Sequence, residues 1–145
     1  MAGKPRAVAY TLAFEKLFAY PDDPSGIVVP ISLRVGEVQA DLLGKIDTGA
    51  PFCIFQRQYG LELGLEIETG REVWIGTAGT ERFAAYGHSV TLGVVDYTFD
   101  TIVYFAKSDD FRRNVLGRRG WLDVVKLGLV DYDRQFYLSR FSGYS

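Results

Sequence analysis

Apolar residues in this chain recur at alternate positions, in short runs broken by turn formers. A period of two is the pattern of half-buried strands. Residues 6–14 (RAVAYTLAF) and 26–36 (GIVVPISLRVG) read as strands on either side of the loop YPDDPSG. EVQADLLGKI (37–46), EVWIG (72–76), ERFAAYG (81–87), HSVTLGVV (88–95) and YTFDTIVYFA (97–106) continue the rhythm. Val, Ile, Thr, Tyr, Phe and Trp, which fit a pleated and half-buried surface, carry these segments. Helix is scarce: QRQYGLELGL (56–65) suits a turn or two and RRGWLDVVK (118–126) one short helix. The last stretch, VKLGLVDYDRQFYLS, reads as two strands around Asp131-Tyr132-Asp133-Arg134, a hairpin. The pattern predicts a mainly β domain.

Composition narrows the function. The sequence has 145 residues, 48% of them hydrophobic and 14% aromatic, with a net charge of -2, enough for one domain (1–145) with a real core. Lys and Arg are scattered, and Arg112, Arg113, Arg118 and Arg119 read as a solvated or structural cluster, so a nucleic-acid partner is not expected. No run is long enough to span a bilayer, and the N-terminal apolar run is too short and polar for a signal peptide. Cys53 is the single cysteine and lies in an apolar strand pattern, which reads as a buried thiol in a reducing, cytoplasmic compartment. His88 is the single histidine; beside Gly87 it reads as finishing a loop, and neither metal nor cofactor is expected.

One stretch breaks the rhythm with chemistry. LLGKIDTGAPFCIF (42–55) places Asp47-Thr48-Gly49-Ala50-Pro51 between two apolar runs. A charge among buried residues costs several kcal/mol, roughly, unless it is partnered. Gly49 permits a tight turn, Thr48 offers a hydroxyl to a neighbouring loop, and Asp47 points out of the turn. The local chemistry leaves two readings open: Asp47 caps its own turn through backbone amides, or it is held there to react.

Asp47-Thr48-Gly49-Ala50 between apolar flanks resembles the active-site signature of the retropepsin-like aspartic proteases, the retroviral type. NVLGRRGWLDVVKLGLVDYDRQFYL resembles the closing segment of that family: Val115, Leu116, Gly117, then Arg118, a short helix and a final hairpin. Gly117 follows Asp47 by about 70 residues, in the expected order. The resemblance covers roughly residues 27–138, leaving 1–26 as an N-terminal extension. Glu68-Thr69-Gly70 has the same shape but polar flanks, and reads as a surface turn.

The resemblance implies a closed β-barrel with a short C-terminal helix and a flap hairpin whose tip is Ile75, Gly76, Thr77, Ala78 and Gly79. It implies Asp47 as catalytic, supported by Thr48, Gly49 and Ala50, with Val115, Leu116, Gly117 and Arg118 structural beside the site. Aspartic proteases activate a water between two carboxylates that share one proton. Two unit charges about 3 Å apart repel by roughly 5 kcal/mol at an effective dielectric near 20, so one acid is held neutral. This chain has one such motif, so the resemblance implies a homodimer about a two-fold axis, acting on a peptide or protein substrate. One departure stands out: viral members usually carry acidic residues after the motif, where this chain has Pro51 and Phe52. The alternative it suggests is a binding or assembly module that keeps the fold and does not cleave.

Overall fold

The computed structural model describes residue 3 and residues 7–76 and 81–141. Two antiparallel strands, β2 (Val28–Val35) and β3 (Val38–Ile46), open the architecture after a short β1 (Lys16–Ala19). β4 (Ile54–Phe55), the helix α1 (Arg57–Glu62), β5 (Arg71–Ile75), β6 (Phe83–Val94) and β7 (Tyr97–Ala106) follow. β8 (Val115–Leu116), β9 (Val125–Val130) and β10 (Gln135–Arg140) complete the chain.

The strand order β2-β3-β8-β4-β7-β6-β5, with a further β2–β6 pairing, joins six strands into a ring. This is the closed barrel, with β5 hanging from its rim. Alternation explains the ring's interior. Val29, Ile31 and Leu33 of β2 and Val90, Leu92 and Val94 of β6 are buried, one residue in two, and meet Phe55, Phe99, Phe105 and Leu116. Pro30 lacks an N–H, yet it is tolerated inside β2 because β6 pairs only with Ile31–Arg34.

A second sheet, β1-β10-β9, holds the C-terminal hairpin. Its strands turn at Asp131–Asp133, as the sequence indicates. The Tyr20 hydroxyl donates to Asp131 across this sheet's end, and burial plus that bond push its pKa up to about 12.

Three local expectations shift. The N-terminal strand is Lys16–Ala19, and residues 7–14 are in no strand, although Val8, Tyr10 and Leu12 alternate well. Lys16 pairs with Leu138, and in this register residues before Phe14 lie beyond the end of β10, so their backbone has no ladder to join. The short helix expected after Arg118 is one 3-10 turn, Leu122–Val124, while the α-helix lies at Arg57–Glu62. Trp121 is fully buried there, and Val125 is already extended into β9. ERFAAYG and HSVTLGVV form one strand, β6, not two. Gly87 is a close-packing residue, because an added Cβ would lie 2.9 Å from the Tyr104 ring. His88 therefore lies inside a strand, with Nε2 2.8 Å from the Ile67 carbonyl oxygen.

Candidate active site

β3 runs buried through Ala40 and Leu42, then ends, and Asp47 follows immediately. β8 pairs parallel to it, Lys45 with Val115 and Ile46 with Leu116. The Asp47 N–H donates to the Leu116 carbonyl at 3.0 Å. Past the turn, Arg118 N–H donates to Ala50 O at 2.9 Å and Arg119 N–H to Pro51 O at 3.0 Å. The two sequence signatures are thus stitched together backbone to backbone. Gly117 permits it: a Cβ there would stand 2.1 Å from the Phe52 carbonyl oxygen, a distance no side chain allows.

Asp47 is half-buried, and Thr48 and Gly49 are exposed. One Asp47 oxygen, Oδ1, accepts the Gly49 N–H at 2.9 Å, and Ala50 N–H donates to the Asp47 carbonyl at 3.2 Å. The turn therefore fixes the carboxylate, which satisfies the capping reading. It leaves the second oxygen, Oδ2, with no hydrogen-bond partner among the described residues. Capping and reactivity are compatible here.

A cavity of about 270 Å³ opens beside this turn. It brings together Asp47, Gly49 and Ala50 with Ile75, Gly76 and Val115. Leu116 and Gly117 are buried beneath it, Arg118 is exposed and outside its lining, and Thr48 faces solvent. Thr77, Ala78 and Gly79 lie outside the described residues. On either side of them β5 and β6 pair, as far as Ile75 with Phe83.

The sequence reading missed Phe111 and Arg113 in the lining, along with Ile54. The signal was available in the spacing: counting back from Val115 by twos gives Arg113 and Phe111, which line the same cavity. The Phe83 and Phe111 rings stack at 4.9 Å, and the Arg113 guanidinium lies 5.7 Å over Phe111. Phe52, at the place of an expected acid, instead packs on Tyr104 at 4.6 Å. Cys53, fully buried behind the loop, has its thiol pushed up to about 12 by desolvation, so it is inert as a nucleophile. Among the described residues, no three His, Cys, Asp or Glu side chains converge as a metal site. No helix among them is long and apolar enough to cross a membrane.

No protein-family model matches this chain, and no curated protein matches it. Solved structures do. The retropepsin-like aspartic protease from Rickettsia conorii is similar with a TM-score of 0.60 at 17% identity, over 86% of this chain and 97% of that one. The EIAV protease, solved with the inhibitor HBY-793, is similar with a TM-score of 0.52 at 19% identity, over 68% of this chain and 86% of that one. The barrel, the stitched loops and these likenesses define one class: the chain has the retropepsin-like fold, the fold of aspartic proteases.

Proposed function

We propose that this protein is an aspartic endopeptidase that works as a homodimer. The observation that carries the reading is the carboxylate of Asp47, fixed in an exposed turn at the wall of a cavity that β5 and β6 also line. A second copy, related by a two-fold axis, would bring Asp47 against its twin. One carboxylate takes a proton from the water held between them, and the water oxygen attacks the peptide carbonyl. The other, protonated, donates to the carbonyl oxygen as it gains charge. The exposed Thr48 hydroxyl, without a partner among the described residues, is available to brace the partner's loop. Gly49 and Ala50 border the cleft, and residues 75–79 close over an extended peptide as a flap, bonding to its backbone as an added strand.

The whole chain, 1–145, acts as one domain in this reading, with Arg118 and its neighbours holding the loop from behind. We assign it to the cytoplasm, where a single unpaired thiol is ordinary. The rival, a non-cleaving module, draws only on Pro51 and Phe52, and the packing of Phe52 on Tyr104 accounts for that residue without any loss of chemistry.

A digest of a peptide library from about pH 4 to 7, with sedimentation on the same samples, tests the proposal, because the shared proton demands mildly acidic conditions. Dimers that cut, and a folded Asp47→Ala protein that does not, are the expected result. A folded Asp47→Ala protein that cuts as fast as the parent would overturn it, and clean dimers that cut nothing would favour the rival.

A further inference from the structure

Resting on the proteolytic reading above, we infer that the cleft selects peptides with a carboxylate side chain within two residues of the bond that is cut, and that Arg113 recognises it. Among the described residues lining the cavity, Asp47 and Arg113 are the charged ones, and the rest of the wall is apolar or glycine. Asp47 is committed to the reaction. Arg113 is the cation left to discriminate between substrates.

The geometry prepares it for this. Val115 is buried in β8, which anchors one end of the Phe111-Arg113-Val115 face. Phe111 is in turn held by its stack on Phe83, at the turn end of the β5–β6 ladder. The guanidinium lies over that Phe111 ring, an arrangement that restrains the side chain while leaving the planar fork of N–H donors free. The two ion pairs among the described residues are Lys16–Asp96 and Arg57–Glu68, so no carboxylate among the described residues is paired with Arg113. Its acidic neighbours in sequence, Asp109 and Asp110, are exposed and outside the cavity lining.

A peptide carboxylate meets the fork in two parallel hydrogen bonds, which a neutral amide of the same shape cannot match in charge. An extended peptide advances about 3.3 Å per residue, and a cavity of about 270 Å³ admits one or two side chains. The acid must therefore lie close to the residue whose carbonyl faces Asp47. In a two-fold pair, each copy presents its own Arg113, so the preference holds on both sides of the bond.

The test uses alanine-flanked peptides with a Phe-Phe core, carrying Glu or Gln at each of the two positions on either side. Cleavage by the parent and binding to the Asp47→Asn protein, followed by fluorescence anisotropy, are measured on the same set. Glu is expected to beat Gln by about tenfold at one or more positions, through KM, the size of one charge-assisted contact. Arg113→Ala should bring the ratio to about one, and Arg113→Glu should turn the preference toward Lys at that position. Cleavage without any Glu preference, or a preference that survives Arg113→Ala, overturns this inference and leaves the protease reading standing. Arg113-dependent binding of Glu peptides with no cleavage by the parent does the reverse. Neither binding nor cleavage removes both.

Discussion

Asp47-Thr48-Gly49 and Glu68-Thr69-Gly70 are two tripeptides of one shape in one chain, and the structure treats them oppositely. Asp47 ends a strand paired in parallel with β8, keeps one oxygen for Gly49 and lines a cavity. Glu68 lies in an exposed 3-10 turn, where Arg57 donates to it at 2.6 Å and holds its carboxyl below the usual value. Thr69 spends its hydroxyl on its own turn, donating to Glu66 O at 2.6 Å, whereas Thr48 is exposed and its hydroxyl has no partner among the described residues. The lesson is about context: the tripeptide supplies a turn in both places, and the strands threaded behind it decide whether the acid is spent locally or offered outward.

The largest expected effect separates the two acids. Asp47→Asn should lower peptide cleavage by about a thousandfold or more, with kcat carrying the loss, while Glu68→Gln should leave it within about twofold. Equal effects of the two variants in a peptide assay would erase the distinction drawn here.

Next come the glycines that let backbones approach. An added Cβ at Gly117 meets Phe52 O at 2.1 Å and Ala50 O at 2.8 Å, and one at Gly70 meets Gly87 O at 2.3 Å. Both alanine variants should lose about 3 kcal/mol or more in urea unfolding, because rigid backbone must move. Activity per folded molecule should fall only for Gly117→Ala, since Gly70 packs against β6, away from the carboxylate.

A smaller contrast lies in the threonines. Thr69→Ala should cost about 1 kcal/mol of stability, the worth of one net hydrogen bond. Thr48→Ala should leave the unfolding of the single chain unchanged and weaken self-association in sedimentation. A Thr48→Ala protein that dimerises like the parent would take Thr48 out of the interface.

The smallest effect belongs to Arg57→Ala, which removes an exposed ion pair that salt screens. The sign with pH is fixed. The pair lowers the Glu68 pKa in the folded state, so its contribution is present above the ordinary value of 4.5 and is lost as pH falls through the folded one. The difference between parent and variant in thermal unfolding should therefore narrow at low pH, leaving the Arg57 hydrogen bond to the Lys107 carbonyl as the remainder.

Much of this was legible from residue types. The alternation located β2, β3, β7 and the last hairpin, and the apolar flanks separated Asp47 from Glu68. The two short motifs were matched in the sequence, while the parallel pairing of Ile46 with Leu116 and the close approach at Gly117 came from the structure. What escaped was tertiary. Residues 7–14 alternate as well as any strand, yet β10 ends before it reaches them. Gly87 looks like a turn and serves instead as a seat for Tyr104. Phe111 and Arg113 carry no motif of their own; only their spacing from Val115 marks their face.

The distance between the two Asp47 carboxylates in a crystal structure of the assembled protein tests the central claim most directly. The account predicts oxygens about 3 Å apart, close enough to share a proton. Carboxylates separated by more than about twice that hydrogen-bonding distance, or each facing solvent in a different mode of assembly, would contradict it.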